Sequence, residues 1–452
     1  MKPRQRPDMN THPFVQAWSR RWPERRLLWL SVLGIGIGFG MMLGSGYAEG
    51  RAFALTDPLP WTLYAGTLVV LHLTLVSVRF QGDQILIGAL AFLAGFGLLA
   101  QVRLGTFDVA NPLDPGLYLV PAGIVLMLLV AIGLSHGRYA RLTEGHWLWV
   151  WAAGSLVLVA VVLLFGQRYR GAVYGVGLVT PTELLKVTVV VFLAGFIDRH
   201  AKRLANWGKG FPLPPMRHLW PLLLFCMGLS ALLLTQRDLG MVVILSVALL
   251  VMLFFGTGRT AYLVLGGVLA ALAGALLLTV FSHGQRRLAA WLDPFQDPTG
   301  NSWQILQGLS GMYSGGLWGE GFGAGNPEYT PIAQSDFIYA VIGEELGFVG
   351  AVLLVLVFLV LFGRGLTIAD QTRQGFGRLL CLGLTTELAT QTLLNLGGVT
   401  KSIPLTGVTL PFVSHGGSSL MTSFVMLGLI LAVSDGMPTR RRTPKPPRPP
   451  SD

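Results

Sequence analysis

The chain has 452 residues, of which 52% are hydrophobic and only 12% charged, and its formal net charge is +11. A typical soluble domain contains about 25% charged residues, so this composition, with a mean hydropathy of +0.60, excludes a water-soluble protein. The positive charge does not indicate nucleic-acid binding. The cations cluster beside the ends of apolar segments, where membrane orientation and anionic lipid explain them.

Twelve apolar runs of membrane-spanning length follow a basic N-terminal tail at residues 1–24. About 17–25 apolar residues cross a bilayer core of roughly 30 Å as a helix. Backbone groups in lipid must be satisfied internally, and these runs lack the alternation of barrel strands. The pattern predicts an all-α polytopic membrane protein with helices centred near Leu33, Val70, Ala91, Leu126, Leu156, Val190, Phe225, Val247, Leu272, Leu356, Leu384 and Met426.

Orientation in the membrane follows from the distribution of Lys and Arg. With a cytoplasmic N-terminus, 24 of the 33 cations face the cytoplasm, eight face outward, and Lys186 alone lies within a span. Such an excess predicts both termini in the cytoplasm. The membrane domain is then predicted over residues 25–436, with an extracytoplasmic loop at about 283–336. The Pro-rich segment 437–452 is predicted to be a disordered basic cytoplasmic tail.

Glu183 and Lys186 form an ionisable pair at the outer end of a span. Residues three apart share one helix face and can pair. A charge inside the bilayer costs at least roughly 2.5–3.5 kcal/mol on insertion scales, so the pair must face a cavity or a partner. Two interpretations stay open: a structural ion pair that joins two helices, or a Lys186 that contacts an anionic substrate while Glu183 orients it.

One long polar passage, residues 286–347, interrupts the hydrophobic sequence. It contains two Asp-Pro pairs, at Asp293 and Asp297, and a run of glycines between Gly315 and Gly325. The glycine run does not lie between a strand and a helix, so it predicts no nucleotide site. It predicts a loop that folds back tightly against the membrane helices. A hydrophobic protein has no solvation reason to keep this passage, so it is the predicted location of the chemistry.

Arginines on the predicted outer side supply positive charge beside this passage. Guanidinium groups there can bind a pyrophosphate bidentately, and together they predict a positive funnel for an anionic lipid. For any single one, contact with solvent or a lipid headgroup is the alternative. They are Arg168, Arg170, Arg237, Arg286 and Arg287.

The last polar stretch, Ser402–Ser419, is apolar overall but contains prolines and glycines that interrupt a regular helix. Irregular backbone at membrane depth is tolerated only where it is buried or lines a cavity. We therefore expect Ser414, His415 and Ser418 to line the substrate cavity together with Asn395. An interior histidine with satisfied hydrogen bonds is the alternative for His415.

Four segments of the chain resemble the SEDS family (shape, elongation, division and sporulation), in the order of that family. They are PTELLK at Pro181–Lys186, QRDLG at Gln236–Gly240, the passage from Leu292 to Gly350, and NLGGVTKSIPLTGVTLPFVSHGGSS at Asn395–Ser419. The usual member has about ten spans, so the first two of the twelve are the expected extra pair. Arg237, Met241 and His415 depart from the family pattern, and they leave the elongation or division branch open.

The resemblance implies an integral-membrane peptidoglycan glycosyltransferase in the cytoplasmic membrane of a bacterium. Such proteins polymerise lipid II, the undecaprenyl-pyrophosphate-linked disaccharide peptide, outside that membrane. They work with a class B penicillin-binding protein, the transpeptidase that cross-links the strands. Two other classes of function stay open for this sequence: a transporter that flips lipid II, and a non-catalytic scaffold for the transpeptidase.

The resemblance also implies roles for single residues. Asp297 matches the family's essential aspartate and is the expected general base, a role that typically contributes about 10²–10⁴-fold, whereas Asp293 is the expected turn former. A divalent cation, Mg²⁺ or Mn²⁺, is suggested at the pyrophosphate, although the sequence contains no legible metal-ligand cluster. The residues expected to contact substrate are Glu183, Lys186, Arg286, Arg287, Asp336, Glu345, Asn395, Ser414, His415 and Ser418.

Overall fold

A computed structural model of the protein describes residues 13–166, 168–169, 172–173, 180–207, 214–280, 282–300 and 302–435. Within these ranges the chain forms fifteen α-helices and one two-stranded ribbon. The predicted all-α membrane architecture is confirmed, and each apolar run predicted from the sequence lies in a helix. The predicted tail 437–452 lies outside the described residues.

The helices follow one another along the chain with connections of one to 23 residues. They are α1 (Pro13–Arg20), α2 (Trp22–Ala48), α3 (Leu59–Ser77), α4 (Gln84–Arg103), α5 (Leu119–Gly133), α6 (Trp147–Phe165), α7 (Leu185–Ala205), α8 (Met216–Thr235), α9 (Leu239–Thr257), α10 (Ala261–Val280), α11 (Ser282–Leu292), α12 (Trp303–Ser314), α13 (Ile338–Gln371), α14 (Gly375–Val399) and α15 (Gly417–Asp435). Strands β1 (Arg168–Tyr169) and β2 (Ala172–Val173) pair antiparallel, with Arg168 opposite Val173.

Nine of the described helices are long and apolar enough to cross a membrane: α2 to α6, α8, α9, α13 and α15. The other three predicted spans correspond to α7, α10 and α14. Helices α7 and α14 are less apolar because they carry ionisable and amide side chains, among them Lys186, Glu387 and Gln391. The count of twelve spans and the cytoplasmic location of both termini stay predictions.

The two polar helices, α7 and α14, lie at the centre of the helical bundle. Helix α14 packs against α7, α9 and α13, and its Leu384 and Leu388 are fully buried. Helices α4 and α15 are also largely buried, against α2 and α13 and against α5. Charged side chains in membrane-spanning helices must face the protein interior, and this central position shelters those of α7 and α14 from lipid.

Helix α13 contains a break at Gly347, whose φ of 67° and ψ of −169° are accessible to glycine and to few other residues. The backbone of the glycine-rich passage between Gly315 and Gly325 packs against α13 at this break. The Phe348 N–H donates to the Gly316 carbonyl at 2.9 Å, and the Glu320 N–H donates to the Glu344 carbonyl at 3.0 Å. The loop therefore folds back against a membrane helix, as the run of glycines predicts.

Helix α1 lies within the segment predicted to be a basic tail, and α2 begins at Trp22. The described part of the segment predicted as a tail is therefore helical, and its boundary at residue 24 stays a prediction. Arg21, one of the cations that suggested a tail, is only 2% exposed and pairs with the fully buried Glu24. Its charge is compensated inside the fold, and composition does not reveal such a pairing.

Candidate active site

A cavity of about 150 Å³ lies among the start of α7, the α8–α9 connection, α11 and the irregular stretch 400–416. We call it the Lys186 cavity. It joins all four of the sequence motifs with α11, although these segments are far apart along the chain. Its charged and amide lining includes Glu183, Lys186, Asp238, Arg287, Asp336 and Gln391.

Lys186 is the most deeply buried cation in the wall of this cavity, at 2% exposure. Its Nζ donates to Glu183 Oε2 at 2.5 Å and to Gln391 Oε1 at 2.8 Å. The Gln391 amide in turn donates from Nε2 to the Thr409 carbonyl at 2.9 Å. An ammonium group has three donors, and its bonds within the described residues use two of them. Lys186 is therefore held rigidly and keeps donor capacity toward the cavity.

Arg287 and Asn395 fix the irregular stretch that closes the cavity. Arg287 Nη1 donates to the carbonyls of Leu405 and Thr406, at 3.1 and 2.6 Å. Asn395 Nδ2 donates to the carbonyls of Asp336 and Val408, at 2.9 and 2.8 Å. These bonds satisfy backbone oxygens that no helix satisfies. Arg287 lines the cavity, whereas Asn395 does not line it but binds the backbone of two residues that do, Asp336 and Val408.

The cavity is not the simple positive funnel that the sequence suggests. Three cations, Lys186, Arg237 and Arg287, share its lining with three carboxylates, Glu183, Asp238 and Asp336. Burial raises the pKa of both Asp238 and Asp336, and Arg287 opposes this shift at each. A carboxyl with a raised pKa is neutral over a wider pH range, so the balance of charge in the cavity depends on these two groups.

Arg286 lies on α11 next to Arg287 but is exposed and does not line the cavity. Successive residues on a helix point in directions about 100° apart. The structure therefore separates the two arginines that the sequence places together. Of the two other outer-side arginines, Arg168 is described only in its backbone, and Arg170 lies outside the described residues.

Ser414, His415 and Ser418 support the cavity wall instead of lining it. The Ser414 hydroxyl donates to the Ser335 carbonyl at 2.5 Å, and the Ser418 hydroxyl accepts from the Thr180 N–H at 2.8 Å. Burial lowers the pKa of His415, while the charge of Asp114 opposes the shift. Backbone groups take up the hydroxyls of Ser414 and Ser418, and the contact of the three side chains with substrate stays a prediction.

Two aspartates of the loop after α11 differ in their surroundings. Asp293 is exposed and its Oδ1 accepts from the Phe295 N–H at 3.2 Å, which is the turn predicted for it. Asp297 is half-buried, and its carboxylate packs so closely on Gly300 that a Cβ there would clash with it. Asp297 follows α11 by five residues but does not line the Lys186 cavity.

Glu345 belongs to a different cluster, which we call the loop clasp: Arg103, Glu345 and the backbone of Gly323 and Gly325. Arg103 Nε donates to Glu345 Oε1 at 2.8 Å, and the Gly323 N–H donates to Glu345 Oε2 at 2.5 Å. Arg103 Nη2 also donates to the Gly325 carbonyl at 2.5 Å. Glu345 is fully buried. It was expected near the substrate, but its two oxygens hold the glycine-rich loop instead.

Three polar residues of the site were missed by sequence reasoning: Asp238, Gln391 and Glu387. Asp238 lies in the QRDLG segment, where its side chain caps α9 by accepting from the Met241 N–H at 2.9 Å. Gln391 and Glu387 are one turn apart on α14, and Glu387 is fully buried within electrostatic reach of Lys186. The sequence feature that could have identified Gln391 and Glu387 is the presence of two polar side chains in an otherwise apolar run.

The chain matches the family model described as "Cell cycle protein", that of FtsW, RodA and SpoVE, over residues 84–437. It is 32% identical over 408 residues to the peptidoglycan glycosyltransferase RodA of Mycobacterium tuberculosis, covering 85% of this chain and 86% of that protein. Stage V sporulation protein E of Bacillus subtilis is also 32% identical, over 321 residues, covering 68% of this chain and 85% of that protein.

Solved structures agree with this similarity. RodA, a rod shape determining protein of Thermus thermophilus, matches with a TM-score of 0.52 and 26% identity over 78% of this chain and 97% of that one. A chain of a peptidoglycan synthase complex, solved to explain how polymerization and crosslinking are coordinated, matches with a TM-score of 0.61 and 27% identity over 78% and 98%. Since the matched residues include every motif that lines the Lys186 cavity, the chain belongs to the SEDS family of FtsW, RodA and SpoVE proteins.

Proposed function

We propose that this protein is a peptidoglycan glycosyltransferase that polymerises lipid II into glycan strands in the cytoplasmic membrane of a bacterium. The observation that carries the proposal is the Lys186 cavity, in which a rigidly held cation keeps donor capacity toward an enclosed space. Relatives named as glycosyltransferases of this family support it. RodA, FtsW and SpoVE relatives are all 32% identical, so similarity does not favour growth, division or sporulation.

In this proposal the cavity binds the pyrophosphate of the donor lipid. Lys186 offers a compact ammonium group and Arg287 a planar guanidinium, which suit a point contact and a directed contact with phosphate oxygens. Glu183 holds the Lys186 ammonium in place through the 2.5 Å bond. Neutral Asp336 and Asp238 would leave the lining with an excess of positive charge, which favours an anionic ligand.

The acceptor strand is placed beside Asp297, outside the cavity. Its carboxylate accepts the proton of the acceptor hydroxyl as that oxygen bonds to the anomeric carbon of the donor. The bond from this carbon to undecaprenyl pyrophosphate breaks at the same time, so the configuration inverts. Because pyrophosphate is already a good leaving group, one base suffices and no separate general acid is needed. Helix α11 connects the two halves of the site, with Arg287 at the cavity and Asp297 just after its end.

A divalent cation fits this arrangement without a dedicated protein cage. Within the described residues no group of three or more His, Cys, Asp or Glu side chains could hold a metal ion. Mg²⁺ characteristically binds one or two carboxylates together with substrate phosphates. With such an ion bound, Asp238 and Asp336, both at the cavity, would be ionised and would be its protein ligands, and the ion, in place of their protons, would neutralise part of the pyrophosphate charge.

The proposed partner is a class B penicillin-binding protein, the transpeptidase that would cross-link the glycan strands. A structure similar to this chain belongs to a peptidoglycan synthase complex in which polymerization and crosslinking are coordinated. We infer a comparable assembly for this chain. A lipid II flippase and a non-catalytic scaffold for the transpeptidase are the alternatives, and neither requires a proton acceptor.

Replacing Asp297 by Asn tests the proposal. The change preserves size but removes the base, so glycan synthesis from lipid II by purified protein should fall about 10²–10⁴-fold. Asp293→Asn is the matched control, since Asp293 is an exposed turn residue in the same loop. Both variants should insert and purify like the wild type. Polymerisation by Asp297→Asn at the rate of Asp293→Asn would refute a catalytic role for Asp297 and favour the flippase or scaffold.

A further inference from the structure

The first three helices form another cavity at the N-terminal end of α2, away from the glycine-rich loop, which meets the other end of α2 at Ser45. It lies between α2 and α3, with a volume of about 200 Å³. We call it the α2–α3 groove. Its wall includes Trp18, Arg25, Leu28, Val32, Ala65 and His72. These helices precede Gln84, where the family match begins, so the groove is separate from the Lys186 cavity.

The length of the groove is apolar. Leu28 and Leu68 form its floor, at 5% and 1% exposure, whereas Trp29 and Val69 flank it and are more than half exposed. From Arg25 to Val32 the groove follows seven helical residues, which is roughly 10 Å along the axis. An apolar channel of this length on a lipid-facing side of the bundle fits the upper part of an acyl chain.

The end of the groove nearest the N-terminus is polar and buried. His72 is 6% exposed, and its Nδ1 lies 2.7 Å from Oε1 of the fully buried Glu24. A carboxylate can only accept, so Nδ1 donates, and Nε2 accepts in the neutral ring. Within the described residues, His72 Nε2 has no hydrogen-bond partner. A buried polar atom without a partner indicates a missing ligand or water, and His72 lines the groove.

Arg25 places a cation at the same end. Its guanidinium lies over the rings of Trp18 and Trp22, at 4.5 and 4.7 Å from their centroids. Stacking holds the planar group by its faces and leaves its N–H edge for an anion. Arg25 Nη1 is buried and, like His72 Nε2, has no hydrogen-bond partner among the described residues. One groove wall thus contains a hydrogen-bond donor, Arg25 Nη1, and an acceptor, His72 Nε2, that have no partner among the described residues.

We propose that the α2–α3 groove binds one anionic glycerophospholipid from the leaflet nearest the N-terminus. One acyl chain lies along Leu28, Leu68 and Val32. The phosphate accepts hydrogen bonds from Arg25, and a headgroup hydroxyl donates to His72 Nε2. Phosphatidylglycerol carries both groups, a phosphate and hydroxyls. A helix of a partner or of a second copy could cover the apolar wall, but it would bring no phosphate to Arg25.

Native mass spectrometry of the purified full-length protein in detergent tests this site. The wild type should retain one phosphatidylglycerol in preference to phosphatidylcholine. Arg25→Gln should weaken that binding about fivefold, from the attraction of one cation to anionic lipid. Ala65→Phe keeps every charge but fills the groove, and should remove the bound lipid. Arg79→Gln is the matched control, because Arg79 is an exposed cation at the end of α3 outside the groove.

Several results would overturn the proposal. Equal retention of both lipids by the wild type, or equal losses in Arg25→Gln and Arg79→Gln, would show only non-specific attraction. Displacement of the lipid by glycerol phosphate alone would show a small-anion site without an acyl chain. A protein dimer that Ala65→Phe abolishes would show that a second copy covers the groove. Thermal unfolding in detergent checks that each variant is folded before its lipid content is compared.

Discussion

Two ion pairs inside the described fold, Lys186–Glu183 and Arg103–Glu345, differ in how their hydrogen-bonding groups are used. In the Lys186–Glu183 pair, Glu183 keeps a side-chain exposure of 20% at the cavity. In the Arg103–Glu345 pair of the loop clasp, Glu345 is fully buried, and backbone groups of the glycine-rich loop bond to both partners. Both carboxylate oxygens of Glu345 are thus taken up by the protein, whereas the Lys186 ammonium, in the wall of a cavity, uses two of its three donors within the described residues.

This difference shows how to distinguish a functional charge from a structural one inside a membrane protein. Both kinds are costly to bury, so burial alone does not separate them. The deciding property is whether the protein itself satisfies the donors and acceptors. By that criterion we expect a ligand at Lys186 and a structural role for Glu345; both stay predictions that the variants below test.

The largest expected effect comes from breaking the clasp. Arg103→Met leaves Glu345 buried without its cation, which should cost about 3–5 kcal/mol of folding free energy. Thermal unfolding in detergent should show this loss. Lys186→Met, the matched change at the cavity, leaves Glu183 partly exposed, and should lower glycan synthesis more than the yield of folded protein. Equal losses of folded protein in the two variants would contradict the comparison and make both pairs structural.

The break in α13 gives the next largest effect. Gly347→Ala forces a side chain into a positive φ and against the backbone of Gly319, so it should destabilise the protein by at least about 1–3 kcal/mol. Gly363→Ala is the matched control, because Gly363 lies in the same helix with open space around it. Unfolding in detergent measures both. A stable Gly347→Ala protein would mean that the loop does not depend on the break.

The smallest effect concerns pH. Burial raises the pKa of Asp336, so the carboxyl gains its negative charge at higher pH than usual. In buffer that contains EDTA, so that no divalent cation is bound at Asp336, substrate binding should therefore weaken as pH rises through that pKa, by about 1 kcal/mol or fivefold in KM for one nearby charge. In Asp336→Asn this part of the KM profile should be flat. A profile unchanged by the substitution would place the pyrophosphate elsewhere than the Lys186 cavity.

Much of the fold and part of the site could be predicted from the sequence. The apolar runs predict the helices because length and composition alone determine what can cross a bilayer. The motifs that hold Lys186, Arg287, Asp336 and Asn395 predict residues that the structure brings to one cavity or its wall. Asp293 is a turn former as predicted.

The roles of the other site residues could not be predicted, because they depend on hydrogen-bond partners that are distant along the chain. Glu345 is separated from Arg103 by 242 residues, so nothing local shows that its carboxylate is occupied. Ser414 and Ser418 bond to backbone groups whose positions only the folded chain defines. Gln391 was missed because its role depends on the hydrogen bond from Lys186, which lies on another helix, and the sequence does not show that the two side chains meet.

Backbone hydrogen bonds join the glycine-rich loop to the break in α13, so the two segments should unfold locally together. The amide hydrogens of Glu320 and Phe348 lie in bonds that connect the loop with the helix, and the loop cannot detach without exposing both. Segments joined in this way open as one cooperative unit. In hydrogen–deuterium exchange, peptides from the loop and from the α13 break should therefore exchange at a common rate, even though one is a surface loop and the other part of a membrane helix.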